Sequence, residues 1–188
     1  DTATNNDSED TQEDTNSNTG PDAGLDCSDR LFCDGFENDL DPSLWRTDTP
    51  NCSGSGSVAI VSDIKNSGSK SLKIMGGENY CDHIFALSSA DLSTVTEKIH
   101  GRFWIRFEAP LGSQHITFLT MREENEGKDV RMGGQSQILM WNRESDDATL
   151  PELSPTGISL SHAPTEQEWM CISFVLDQET GSLTTKIN

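Results

Sequence analysis

The chain is short of positive charge, with 13 Lys and Arg against 32 Asp and Glu in 188 residues. Holding a phosphate backbone takes a surplus of cationic side chains, so a formal charge of −19 argues against nucleic acid as a partner. It leaves room for an anionic sugar in a local Arg-lined groove. No run of 18 or more apolar residues occurs, so no segment reads as a membrane span. There is no C-x-x-C, and the four His are scattered, which removes the usual zinc spacings. A Gly-rich phosphate loop before a helix and a G-x-S-x-G elbow are both missing; Gly133-Gly134 falls inside a strand-like run. No amphipathic helix longer than a turn or two can be drawn, and tyrosine is reduced to Tyr80.

The negative charge is unevenly placed. Residues 1–26 hold eight acids and no Lys or Arg, and removing those eight from −19 leaves −11 for the remainder. This stretch of Asp, Thr, Asn, Ser and Glu has almost nothing to bury, so it reads as a disordered linker ahead of one domain over 27–188. It is either a stalk spacing the domain from a cell surface or a plain flexible tail. With no initiating Met, the chain reads as a mature form or an excerpt. Five cysteines without zinc spacing fit disulfides in an oxidising compartment, so an extracellular or surface-anchored location is expected. The expected pairs are Cys27 with Cys33 and Cys52 with Cys81. Cys171 is then odd: either its partner lies beyond Asn188, with the last strands of the domain, or it is a free buried thiol.

What is present is alternation. VAIVSDIK, KSLKIMG, GRFWIRFE, QHITFLTMRE, VRMGGQSQILMWN, GISLSHA and EWMCISFVLD are short runs bounded by Gly, Ser, Asp or Pro, and DQETGSLTTKIN reads as a turn at Gly181 followed by a strand. Eight to nine strands favour an all-β sandwich, and a jelly roll is the usual version that presents a broad concave sheet. In GRFWIRFE one face takes Phe103, Ile105 and Phe107, while the other displays Arg102, Trp104 and Arg106. Met170, Ile172, Phe174 and Leu176 share a face of EWMCISFVLD. Arg131, Gln135 and Gln137, taken as i, i+4 and i+6 of one strand, share a face with Gly133, whose missing side chain lets a ligand approach the backbone. Arg forks, flat indoles and amides on an exposed sheet face suit an extended polar ligand.

LFCDGFE, DPSLW, GSKSLKI, QHITFLTMRE, RMGGQSQILMWNRESDDATLPELSPTG and EWMCISFVLD, in this order, resemble the concanavalin A-like jelly rolls. The likeness is to the core domain of the cellulose-induced secreted protein family, which has relatives among the glucuronan lyases, and it runs from about Leu31 to Asn188. The resemblance implies a secreted, monomeric domain that binds or acts on polysaccharide in the cleft of a concave sheet. Carried over residue by residue, the cleft would include Arg102, Trp104, Arg106, His115, Arg131, Gln135 and Gln137. It also implies a structural calcium ion, with Glu37 and Asp34 as ligands beside an acid from a final strand that this sequence does not contain.

A β-elimination site needs a cation or amide to neutralise a uronate carboxylate, and a base to take the acidified C5 proton. Arg131 or Arg106 with Gln135 would neutralise, and His115 would be the base; the plainer reading of His115 is a surface histidine. Tyr80 is the one candidate phenolic acid, although beside Cys81 it reads as packing. Among the indoles, Trp45 and Trp169 read as core and Trp104 as a stacking platform, while Trp141 is core or a further ligand contact. Glu144, Asp146, Asp147 and Glu152 crowd one loop, either a solvated acidic turn or a hard-cation site. A glycosidase would need two carboxylates facing each other across the cleft, and the three central strands offer only Glu108, Glu123 and Glu124 near their ends. Three functions remain: a polysaccharide-binding domain, a polysaccharide lyase, and an adhesive or structural surface protein.

Overall fold

The structure, a computed structural model, describes residues 27–49, 54–77, 79–123, 125–149 and 163–188. The acidic segment 1–26, Cys52, Glu152 and most of the GISLSHA run lie outside the described residues. The chain is all-β, with every strand pairing antiparallel and two single-turn 3₁₀ segments as the only helical pieces among the described residues. It divides into two compact units, Asp1–Ser89 and Ala90–Asn188.

The first unit holds two antiparallel strand pairs. Strand β1 (Trp45–Asp48) runs through the polar WRTD, β2 (Ser57–Val61) and β3 (Ser71–Met75) pair with each other, and β4 (Phe85–Ser88) returns to pair with β1. Trp45 anchors the entry segment: Phe32 meets its ring edge-on at 5.1 Å, Phe36 packs at 5.5 Å, and its indole N–H donates to Asp34 Oδ2 at 2.7 Å. The Cys27–Cys33 disulfide ties the start of that segment, as the sequence led one to expect. Cys81 is also disulfide-bonded.

The second unit is a two-layer sandwich. One sheet has the order β11 (Ser182–Ile187), β10 (Trp169–Asp177), β5 (Lys98–Arg106); the other runs β6 (Ile116–Glu123), β7 (Lys128–Gln135), β8 (Ile138–Arg143), β9 (Ala148–Thr149). Alternation sends Met170, Ile172, Phe174 and Leu183 inward from the first sheet and Met132, Leu139 and Trp141 inward from the second, into one core with Leu111. Phe103, Ile105 and Phe107 pack against it as the sequence pattern requires. Burying a side chain such as Ile172, at 0 % exposed, stabilises the fold by about 1.5–3 kcal/mol.

The reversals are made by local side-chain acceptors. Asp177 Oδ1 accepts from the N–H groups of Glu179 and Thr180, and Gly181, at φ 66°, closes the β10–β11 turn. Glu123 does the same for Asn125 and Glu126 between β6 and β7. The β7–β8 turn departs from expectation: Ser136 and Gln137, at φ 53° and 70°, make a two-residue turn in which Gln135 pairs with Ile138. VRMGGQSQILMWN is therefore a hairpin rather than one strand.

Candidate functional site: the outward face of the three-stranded sheet

Cross-strand register decides which side chains stand together. Arg102 lies opposite Ser173, which lies opposite Lys186; Trp104 lies opposite Cys171, and Arg106 opposite Trp169. Directly opposed residues share a face. Since Phe103, Ile105, Ile172 and Ile187 point into the core, this row points out of the sandwich, joined by His100 and Thr184. His100, Arg102 and Lys186 are exposed, and Trp104, Trp169 and Ser173 are half-buried.

Two of these groups are held in place. Arg102 Nε donates to Cys171 Sγ at 3.2 Å, which fixes the guanidinium over a thiol that is only 4 % exposed. Cys171 is buried and makes no disulfide with the described cysteines. Arg106 is more confined: Nη1 pairs with Glu108 at 2.6 Å and Nε donates to the Gln167 carbonyl at 3.1 Å, leaving its side chain 16 % exposed. It is a brace for the edge of the sheet more than a free fork. Trp169, expected in the core, stands instead on the outward side with Arg106. His100 went unnoticed in the sequence, although it sits two residues before Arg102 in the same alternation.

The remaining predicted residues are elsewhere. Arg131, Gly133 and Gln135 point out of the other sheet, because Val130 and Met132 occupy the inward positions of β7. The core therefore separates them from Arg102 and Trp104, and the single cleft expected from the sequence divides into two opposite faces. Gln137 sits in the turn, off both faces. Trp141 is fully enclosed at 0 % exposed, edge-on to Phe174, so it is core and offers no ring to a ligand. His115 is exposed just ahead of β6. A register shift between Thr117 and Leu119 puts those two on opposite faces, contrary to strict alternation. Gly133 makes room for the chain itself: a Cβ there would meet the Ile116 carbonyl oxygen at 1.8 Å.

Arg131 is already neutralised. Its Nη2 pairs with Glu144 Oε2 at 2.7 Å and its Nε lies 3.8 Å from Asp129 Oδ2, while Lys128 and Arg122 complete a surface ladder. Burial works to raise the Glu144 carboxyl, but the Asp129 N–H and the charges of Arg131 and Lys128 outweigh it and hold it below the usual carboxylate range. Asp146 pairs with Arg143, which lowers its pKa to about 2, and Asp147 accepts from Asn142. The described acids of this loop, Glu144, Asp146 and Asp147, thus face separate partners instead of converging on a cation.

A calcium ion takes six to eight oxygen ligands. Asp34 uses Oδ1 on the Phe36 N–H and Oδ2 on the Trp45 indole, and Glu37 accepts from Ser69 N–H and hydroxyl, which lowers its pKa. The two carboxylates are directed at different donors, and among the described residues no three His, Cys, Asp or Glu converge. These residues do not fit a calcium shell on their own. Tyr80 is in the first unit, at the start of the 3₁₀ turn Tyr80–Asp82, 79 % exposed. No helix among the described residues is long and apolar enough to cross a membrane.

Against known proteins, residues 35–188 match the family model described as polysaccharide lyase-like, Cip1-like core domain. Among solved structures the chain is similar to "Cellulose induced protein, Cip1", at 39% identity and a TM-score of 0.68, covering 79% of this chain and 67% of that one. No curated protein matches.

Proposed function

The chain belongs to the Cip1-like, polysaccharide lyase-like core-domain family, and on that footing we propose that it binds an acidic polysaccharide along the outward face of the β5–β10–β11 sheet. The observation that carries this reading is the row Arg102–Ser173–Lys186, two cations flanking a hydroxyl, with Trp104 and Trp169 beside it. A guanidinium fork and an ammonium grip carboxylates, a hydroxyl both donates and accepts, and an indole stacks on the C–H face of a sugar ring. The same reading takes the sandwich as part of a concanavalin A-like jelly roll. It places the domain outside the cytosol, where disulfides such as Cys27–Cys33 persist.

A second reading, lyase activity, is favoured by one observation: His100 is exposed on the same face as Arg102, two positions along β5. Arg102 would neutralise a uronate carboxylate and acidify the C5 proton. Neutral His100 would take that proton, the C–H electrons would form the C4–C5 double bond, and the glycosidic oxygen would leave from C4 and be protonated from solvent. A polysaccharide panel scored for both retention and ultraviolet absorbance separates the two. Retention alone makes the domain a binding module; retention with absorbance on a uronate polymer makes it a lyase. Silence on every acidic glycan overturns both readings.

A further inference from the structure

We propose that Tyr80, in the first unit, is a second sugar-ring contact; the inference rests on the polysaccharide reading. At 79 % exposed, Tyr80 is the most open of the large hydrophobic side chains described. A ring so open ordinarily samples several rotamers, and ordering it on a ligand has an entropic cost. Here the ring is buttressed. His83 meets it edge-on, with centroids 5.0 Å apart and planes at 75°, and His83 Nδ1–H donates to the Tyr80 carbonyl at 2.6 Å. Behind His83, Phe85 packs at 5.7 Å. The imidazole is thus tied to the same residue whose ring it supports.

The turn beneath is pinned at three points. Asp82 accepts from Ser55 N–H and hydroxyl at 3.1 Å and from Asn79 N–H and Nδ2 at 3.3 and 3.2 Å, which lowers its pKa. Gly77 N–H reaches the Asp82 carbonyl at 3.3 Å, and Cys81, between Tyr80 and Asp82, is disulfide-bonded. A rigid base carrying one flat ring, with its hydroxyl at the rim, matches a pyranose: the C–H face of the sugar covers the ring and its hydroxyl edge stays wet.

Tyr80 is the sole tyrosine, so the full chain labelled with ring-¹³C tyrosine reports on this site alone. The probe is a polysaccharide that the protein retains in the panel above. We expect the Tyr80 signal to move on titration and to keep moving at high salt, because stacking is not screened, while the grip of Arg102 and Lys186 weakens. Tyr80→Ala should lose roughly three- to tenfold in affinity, and Tyr80→Phe should bind like the parent. Retention with an unmoved Tyr80 signal, or Tyr80→Ala binding at parental strength, overturns this inference and leaves the second-unit face standing. Retention on no glycan overturns both.

Discussion

Trp141 and Thr185, 44 residues apart in the chain, are joined across the sandwich by a 2.8 Å hydrogen bond from indole N–H to hydroxyl, and both are 0 % exposed. A buried indole N–H needs an acceptor, and this is the one it has. Thr185→Val keeps the shape and removes the acceptor, so it should destabilise the domain by about 1–3 kcal/mol. Trp141→Phe removes volume as well and should cost more. Urea unfolding followed by circular dichroism checks the order of the two; a Thr185→Val variant as stable as the parent would remove the bond from the account.

Gly133 should be intolerant of any side chain. The Ile116 carbonyl would lie 1.8 Å from a Cβ, and backbone at a paired strand has little freedom to retreat. Gly133→Ala is expected to cost about 3 kcal/mol or more, or to abolish folding. Gly112, whose nearest atom would be 3.9 Å away, should accept alanine within about 0.5 kcal/mol, measured in the same unfolding assay.

Binding and stability should separate between two cations. Lys186→Ala, on the outward face of the three-stranded sheet, is expected to weaken retention of an acidic glycan severalfold with little change in melting temperature. Arg131→Ala should do the reverse. It removes one of the two cations beside each of Asp129 and Glu144, leaving Arg122 and Lys128 in place, at a cost of up to about 1 kcal/mol, and leaves glycan retention unchanged. Affinity electrophoresis beside thermal melts reads both; loss of retention in Arg131→Ala would return that side of the sandwich to the ligand.

Stability should fall in acid with a definite sign. Asp146, Glu37, Asp82 and Asp177 all have folded-state pKa values below their ordinary ones, through hydrogen bonds and, for Asp146 and Asp177, a paired cation. Their contribution is present in full above the ordinary carboxylate range and is lost as pH drops through the folded values. For Asp146 that window runs from about 4 down to about 2. The urea midpoint should therefore decline across this range, less steeply in Asp146→Asn and less steeply at high salt, since these groups are exposed. A midpoint flat down to about pH 2 would contradict the ion pairs.

Strand alternation was legible: Phe103 and Ile105 inward against Arg102 and Trp104 outward, and the Met170–Phe174 stripe, follow from period two alone. What alternation does not carry is which sheet a strand joins. Arg131 and Arg102 both point out of their strands, but pairing between distant segments sets them on opposite sides of one core. Trp169 was legible too: beside the inward Met170 it falls on the outward parity, and only the usual burial of tryptophan argued for core. The β7–β8 reversal was hidden because Ser-Gln lacks the Asn-Gly or Asp-Gly signature of a left-handed turn. His100 was hidden by the Gly101 that follows it, which breaks the apolar beat.

That Ser136–Gln137 reversal bears on the order of folding. Two non-glycine residues at positive φ give the β7–β8 hairpin a poor local nucleus, because the turn must be held by the strands it joins. In the other sheet β5 joins last, since Arg102 must find Cys171 across 69 residues of chain. The β6–β7 and β10–β11 pairs have short turns of their own, but the sandwich is complete only once β8 has turned back on β7 and β5 has met β10, and newly made molecules spend that interval with unpaired strands exposed to one another. Replacing Ser136–Gln137 by Asn-Gly should shorten it.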